Sequence, residues 1–294
     1  MARLRTKKGR QLLLAPLFFG LIAVMAAAPE RVAHRTIAPL PEGSRKGTIV
    51  MLGGSEGGML SPRRPLVRAL RGAGYAVTAV ATFDHPGLPA TGVRVPLDAI
   101  AALGEDARRN QRCVGMLGVS RGSEAALLLA TLAPGTFDAT VAIMPAHVSG
   151  PAPGPNLLNQ PAWTWRGGDV PFVPTRPFTK DGVRWLFSSG RERAKANHAI
   201  KRHSLEAQPE AVGKALFRMA RVRRPVLLIS AVEDHVWPST MMARELVASA
   251  TAGGTGSLVE HIEVPGDHFA ADREPAIRAV LRFLSQAFAN CGEP

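Results

Sequence analysis

From residue 32 onward, short apolar runs alternate with stretches of helical period, and few folds accept that rhythm. The runs predict strands at Arg31–Ile37, Thr48–Leu52, Tyr75–Thr82, Cys113–Val119, Thr140–Met144, Pro225–Ser230 and Val259–Val264. Helices are expected between them, at Pro62–Ala73, Pro96–Arg109, Ser120–Ala133, Ser239–Ala250 and Arg273–Phe288. Such alternation calls for an α/β protein, a mostly parallel sheet with helices on both faces. Unbroken apolar strands such as Val226-Leu227-Leu228-Ile229 suit a sheet with no solvent face. With 294 residues, 46% of them apolar, the chain has material for one large domain with a real core.

The rhythm breaks between about Ala146 and Arg224. This stretch opens on Gly150-Pro151-Ala152-Pro153-Gly154-Pro155, carries Trp163, Trp165 and Trp185, and ends in an expected helix over Pro209–Arg221. Three of the four tryptophans fall in it, which favours an ordered, cap-like insertion at about 146–224 on the substrate side of the sheet.

Chemistry enters at Gly118-Val119-Ser120-Arg121-Gly122. A Gly-x-Ser-x-Gly turn between a strand and a helix exposes its serine as a nucleophile, the elbow of the α/β-hydrolase fold. A second match, Gly53-Gly54-Ser55-Glu56-Gly57, is followed by loop residues rather than by a helix. Strand order agrees with Ser120, since the elbow lies two strands before the one that delivers the acid. The earlier glycine loop is then expected to furnish an oxyanion donor, the amide of Ser55, which works with the amide of Arg121. Gly54, Glu56 and Trp237 are the expected substrate-binding residues.

A serine nucleophile needs a histidine base and an acid to orient it, in the chain order Ser, acid, His. His268, in Gly266-Asp267-His268, follows the last strand and is the last histidine of the chain. Asp234, just past Pro225–Ser230, is the expected acid, with Glu233 as the competing one. Asp267 is too close to His268 in sequence to orient it readily. His235 reads as a neighbour in the acid loop, and His198 and His203 as solvated surface residues without metal-site spacing. No metal and no cofactor is expected. Cys113 and Cys291 show no CxxC spacing and no disulfide framework.

The formal net charge is +13, and five of the cations (Arg3, Arg5, Lys7, Lys8, Arg10) precede residue 11 with no acid among them. Residues 12–28 are then uncharged and apolar, the layout of a secretory signal or of an N-terminal membrane anchor. Either places residues 29–294 outside the cytoplasm, with membrane association through residues 12–28 in the anchored form. A single Tyr and the absence of a nucleic-acid motif argue against nucleic-acid partners.

The stretches Leu52–Gly58, Gly118–Glu124, Glu233–Ser239 and Gly266–His268 together resemble the C-terminal domain of the acyl-CoA thioester hydrolase / bile acid-CoA:amino acid N-acyltransferase family. The more specific marks are Glu124, four residues after the nucleophile, and Trp237-Pro238 after the acid. Pro86–Pro89 also fits, and the resemblance runs from about residue 45 to the end. It implies an α/β-hydrolase fold with Ser120 as nucleophile, Asp234 as acid and His268 as base. Members that conjugate acyl groups to amino acids use Cys, so Ser120 implies hydrolysis of an acyl thioester. Coenzyme A thioesters are cytoplasmic, whereas this N-terminus points outward. An exported carboxylesterase is therefore the alternative, and a non-catalytic relative of the fold a third reading.

Overall fold

A computed structural model describes residues 32–40, 46–153, 159–289 and 291. The expected signal or anchor, residues 1–28, lies outside them. Among the described residues no helix is long and apolar enough to cross a membrane.

In chain order the strands are β1 (Ala33–Ile37), β2 (Thr48–Leu52), β3 (Ala76–Ala81), β4 (Val95–Pro96), β5 (Val114–Val119), β6 (Ala139–Ile143), β7 (Trp163–Trp165), β8 (Gly168–Asp169), β9 (Val226–Ala231) and β10 (Val259–Val264). The helices are α1 (Pro65–Gly72), α2 (Leu97–Arg108), α3 (Arg121–Leu132), α4 (Lys180–Phe187), α5 (Gly190–Glu206), α6 (Pro209–Ala215), α7 (Ser239–Ala252) and α8 (Glu274–Ala289). The main sheet runs β1-β3-β2-β5-β6-β9-β10 and is parallel except for β1, which pairs antiparallel with β3.

Alternate residues of each central strand feed opposite cores. Ile49, Met51, Leu117, Leu227 and Ile229 pack with α1 and α8, whereas Val50, Leu52, Met116, Val226 and Leu228 pack with α2, α3 and α7. Both faces are dry, which is why the strands read as continuous apolar runs. This is the α/β-hydrolase architecture expected from the sequence.

The chain steps from β2 outward to β3 and then returns to the other side of β2 for β5. The carboxyl ends of β2 and β5 therefore flank a reversal of strand order, where open α/β sheets form their crevices. The insertion between β6 and β9 is ordered over its described residues. It adds β7 and β8 to β4 as a small second sheet and contributes α4, α5 and α6. The expected helix over Pro209–Arg221 is shorter: α6 stops at Ala215, and Met219–Arg221 forms a separate 3-10 turn.

Candidate active site

Ser120 occupies a backbone conformation that L-residues rarely adopt, with φ +54° and ψ −116°. The turn is that sharp because β5 ends and α3 begins within one residue. Its flanking glycines are required by packing. A Cβ on Gly118 would stand 2.0 Å from the Gly122 carbonyl oxygen, and one on Gly122 would stand 2.5 Å from the Gly53 carbonyl oxygen. The turn is fixed by the Ser120 N–H donating to Ile143 O (2.8 Å) and the Gly122 N–H donating to Gly53 O (2.9 Å). Strain of this kind, about 1–3 kcal/mol, persists only where the surroundings over-determine it.

His268 bridges the other two sequence-predicted residues. Its Nε2 lies 2.8 Å from Ser120 Oγ and its Nδ1 lies 2.9 Å from Asp234 Oδ2. All three side chains are buried. The second carboxylate oxygen of Asp234 accepts the N–H groups of Val236 (2.9 Å) and Trp237 (3.2 Å). Burial works to raise the Asp234 pKa. The hydrogen bond and charge of His268, with those from Ser239 and Val236, outweigh it and hold the carboxyl below its ordinary value. Of the two acids the sequence leaves open, Asp234 meets the histidine, while Glu233 is exposed.

The acid and base loops are stitched to each other. Val232 N–H donates to Val264 O (3.0 Å) and Glu233 N–H to Gly266 O (2.9 Å). Asp267 shapes its own turn, accepting the Phe269 N–H at 3.1 Å. The carbonyl of Met144, itself at φ +51°, joins these loops to the elbow by accepting the Trp237 indole N–H (3.1 Å) and contacting Ser123 Oγ at 3.4 Å.

The five remaining sequence-predicted residues sit as follows. Arg121 is the first residue of α3, where the helix offers its backbone N–H no internal partner. The loop after β2 lies against Ser120, since a Cβ on Gly54 would stand 3.2 Å from Ser120 Cβ and 3.5 Å from its Oγ. That same point is 2.6 Å from Glu56 Oε2, so the Glu56 carboxylate folds over the glycine loop beside Ser120. Ser55 lies in the exposed turn of this loop. Trp237 is buried and stands edge-on to His268, with ring centroids 5.4 Å apart. A narrow cleft lined by Gly53, Gly54, Thr82, Arg121 and Trp163 adjoins the loop, with about 10 Å³ of water-accessible space.

Sequence reasoning did not find the partners of Glu124. Its buried carboxylate takes both oxygens to Arg121 Nη1 (2.9 and 2.8 Å) and accepts the Gly150 N–H (3.2 Å) and the Trp163 indole N–H (3.1 Å). The available signal was a carboxylate at the head of the apolar run Ala125–Ala130, which must be paired to be tolerated there. Lys201 of α5 lies in the field of the same pair. Burial, with the nearby Arg121 charge, pushes its ammonium down to about 8, against the opposing pull of Glu124.

Among solved structures, the fold resembles the monoacylglycerol lipase of Paleococcus ferrophilus. The two share 16% identity and a TM-score of 0.52, over 87% of this chain and 99% of that one. An esterase of Pyrococcus furiosus matches at 15% identity and TM-score 0.54, over 87% of this chain and 92% of that one. The acylaminoacyl peptidase of Pyrococcus horikoshii matches at 15% and 0.55, over 90% of this chain but 40% of the larger peptidase chain. At these identities the likeness is one of fold. Among curated proteins no sequence match is found. The model of the BAAT / acyl-CoA thioester hydrolase C-terminal family matches residues 97–293. That match spans Ser120, Asp234 and His268 and two thirds of the sequence, and the chain belongs to this family.

Proposed function

We propose that this protein is a serine hydrolase that cleaves acyl thioesters through Ser120, His268 and Asp234. The reading rests above all on His268 standing between Ser120 Oγ at 2.8 Å and Asp234 Oδ2 at 2.9 Å. In the first half-reaction, His268 Nε2 takes the Ser120 proton as Oγ bonds to the acyl carbon. The oxyanion that forms is met by the Arg121 N–H and an N–H of the loop after β2. The tetrahedral species collapses, the bond to the leaving thiolate breaks, and His268 returns its proton to the thiolate. Water then repeats the sequence on the acyl-enzyme and releases a carboxylic acid. Asp234 holds the imidazole in the required tautomer and stabilises its cation.

The alternative, an exported carboxylesterase, follows from the basic and then apolar N-terminus. One set of assays separates the two. The purified protein is given acyl-CoAs of several chain lengths and short p-nitrophenyl esters, alongside Ser120→Ala. Turnover of acyl-CoAs that Ser120→Ala loses supports the thioesterase reading. Turnover of esters alone moves the function to the carboxylesterase, and wild-type turnover in Ser120→Ala removes the serine mechanism. A reporter fused after residue 40 reads export directly.

A further inference from the structure

Helix α4 turns its apolar side away from the protein. Thr179 caps it, accepting the Gly182 N–H at 3.1 Å. The residue before such a cap ordinarily packs on the one five positions later. Here those residues are Phe178 and Val183, yet Phe178 is 100% exposed and Val183 59%. Leu186 (63%) and Phe187 (87%) extend the same stripe at helical spacing from Val183. Trp185 falls on the other side of the helix, where the Arg193 guanidinium of α5 stands 4.8 Å from its ring centroid. The helix thus keeps hold of α5 and offers large apolar side chains outward, the reverse of an ordinary surface helix. Exposed apolar residues gathered this closely mark an interaction surface.

Charge selects the partner. Residues 176–206 contain eight Lys or Arg against three Asp or Glu. Arg184 and Lys195 share Glu192, and Arg202 pairs with Glu206. The exposed Arg176, Lys180 and Arg191 have no acidic partner among the described residues. A second copy would set this cationic face against its like. Residues 1–28 would bring five more cations and no acid. A bilayer with anionic headgroups supplies the missing counter-charge and gives the aromatic and aliphatic side chains an apolar phase.

We propose that Phe178, Val183, Leu186 and Phe187, with the cations beside them, form a docking surface for an anionic lipid bilayer. Docking is independent of hydrolysis, and its test reads binding alone. The full chain and the variant Phe178→Ser/Leu186→Ser/Phe187→Ser are sedimented with phosphatidylglycerol-containing vesicles and with phosphatidylcholine vesicles. The wild type should favour the anionic vesicles, and the variant should partition about tenfold less at unchanged Tm. Equal partition of the variant, as binding through residues 12–28 alone would give, overturns the proposal, as does equal binding to both lipids. A second measurement reads the surface itself. Cys113 and Cys291 are buried, so a polarity-sensitive dye on Leu186→Cys reports one position. Its emission should shift to the blue with anionic vesicles. No shift, or a shift with protein concentration in the absence of lipid, which means a second copy covers the face, overturns it.

Discussion

The indole N–H of Trp163 donates to Glu124 Oε2 at 3.1 Å, so the helix that starts next to Ser120 and the insertion are joined through one carboxylate. The same carboxylate neutralises Arg121, whose side chain is 7% exposed against 2% for Glu124. Removing one partner of such a pair leaves an unpaired buried charge, at a cost of about 3–5 kcal/mol. Glu124→Ala is therefore expected to lower stability by that order and to release the Ser149–Trp163 stretch. Thermal unfolding measures the first effect and limited proteolysis within that stretch the second. Glu124→Gln, which keeps the shape and the acceptor for Trp163, should retain more of the protease resistance than Glu124→Ala.

The glycines of the elbow are a steric requirement. Gly118→Ala and Gly122→Ala force a Cβ onto backbone oxygens at 2.0 and 2.5 Å, and each should cost about 3 kcal/mol or abolish folding. Gly213→Ala is the control. It lies in α6 with nothing within 4 Å of the added Cβ, and should raise stability by about 0.5–1 kcal/mol. Denaturant titration of the three variants checks the ordering.

Strain at Ser120 separates activity from stability. On the proposed mechanism Ser120→Ala and Ser120→Gly both lose the nucleophile, and both should reduce turnover by at least about 10³-fold. Only glycine relaxes φ +54°. Ser120→Gly should then exceed Ser120→Ala in stability by about 1 kcal/mol, read as a higher Tm.

His147 makes stability depend on pH. Burial depresses its pKa from 6.5 to about 4, and its Nδ1 has no hydrogen-bond partner among the described residues. Between those values the unfolded chain binds a proton that the folded chain refuses. The stabilising contribution is complete above pH 6.5 and is lost as pH falls toward 4, by about 3 kcal/mol in all. Asp234 is also depressed, but from 3.8, so its contribution is lost only at lower pH. Tm measured from pH 7 to 4 should fall for the wild type and fall less for His147→Asn.

The sequence was most readable where burial is two-sided. β2 falls on the predicted residues, and the ends of β3, β5, β6 and β9 lie within about one residue, because runs such as Thr48–Leu52 are buried throughout. β10 also falls on its predicted residues, although as an edge strand it is mostly half-buried. Ser120, Asp234 and His268 were legible because each follows a strand that can be counted. The insertion was not. In α5 only Ala196, Ile200 and Ser204 are buried, a stripe one residue wide that leaves little periodicity among polar neighbours such as Arg193 and Lys195. β7 and β8 are three and two residues long and are defined by pairing with the distant Val95–Pro96, which no local pattern encodes. Trp237 read as a substrate contact from its place in the acid loop, whereas its edge-on packing behind His268 required the fold.

Ser120 and His268 stand at the ends of β5 and β10, three strand intervals apart, roughly 14 Å at ordinary ladder spacing. Their 2.8 Å contact is closed by the loop after β10, which leans across β9 and β6 from a base it shares with the acid loop. The sheet acts as a pair of piers, and the Ser120–His268 contact is the span between them. A displacement confined to that loop would part His268 from Ser120 while the strands kept their register, so the contact depends on the loop's placement more than on the sheet's own pairing.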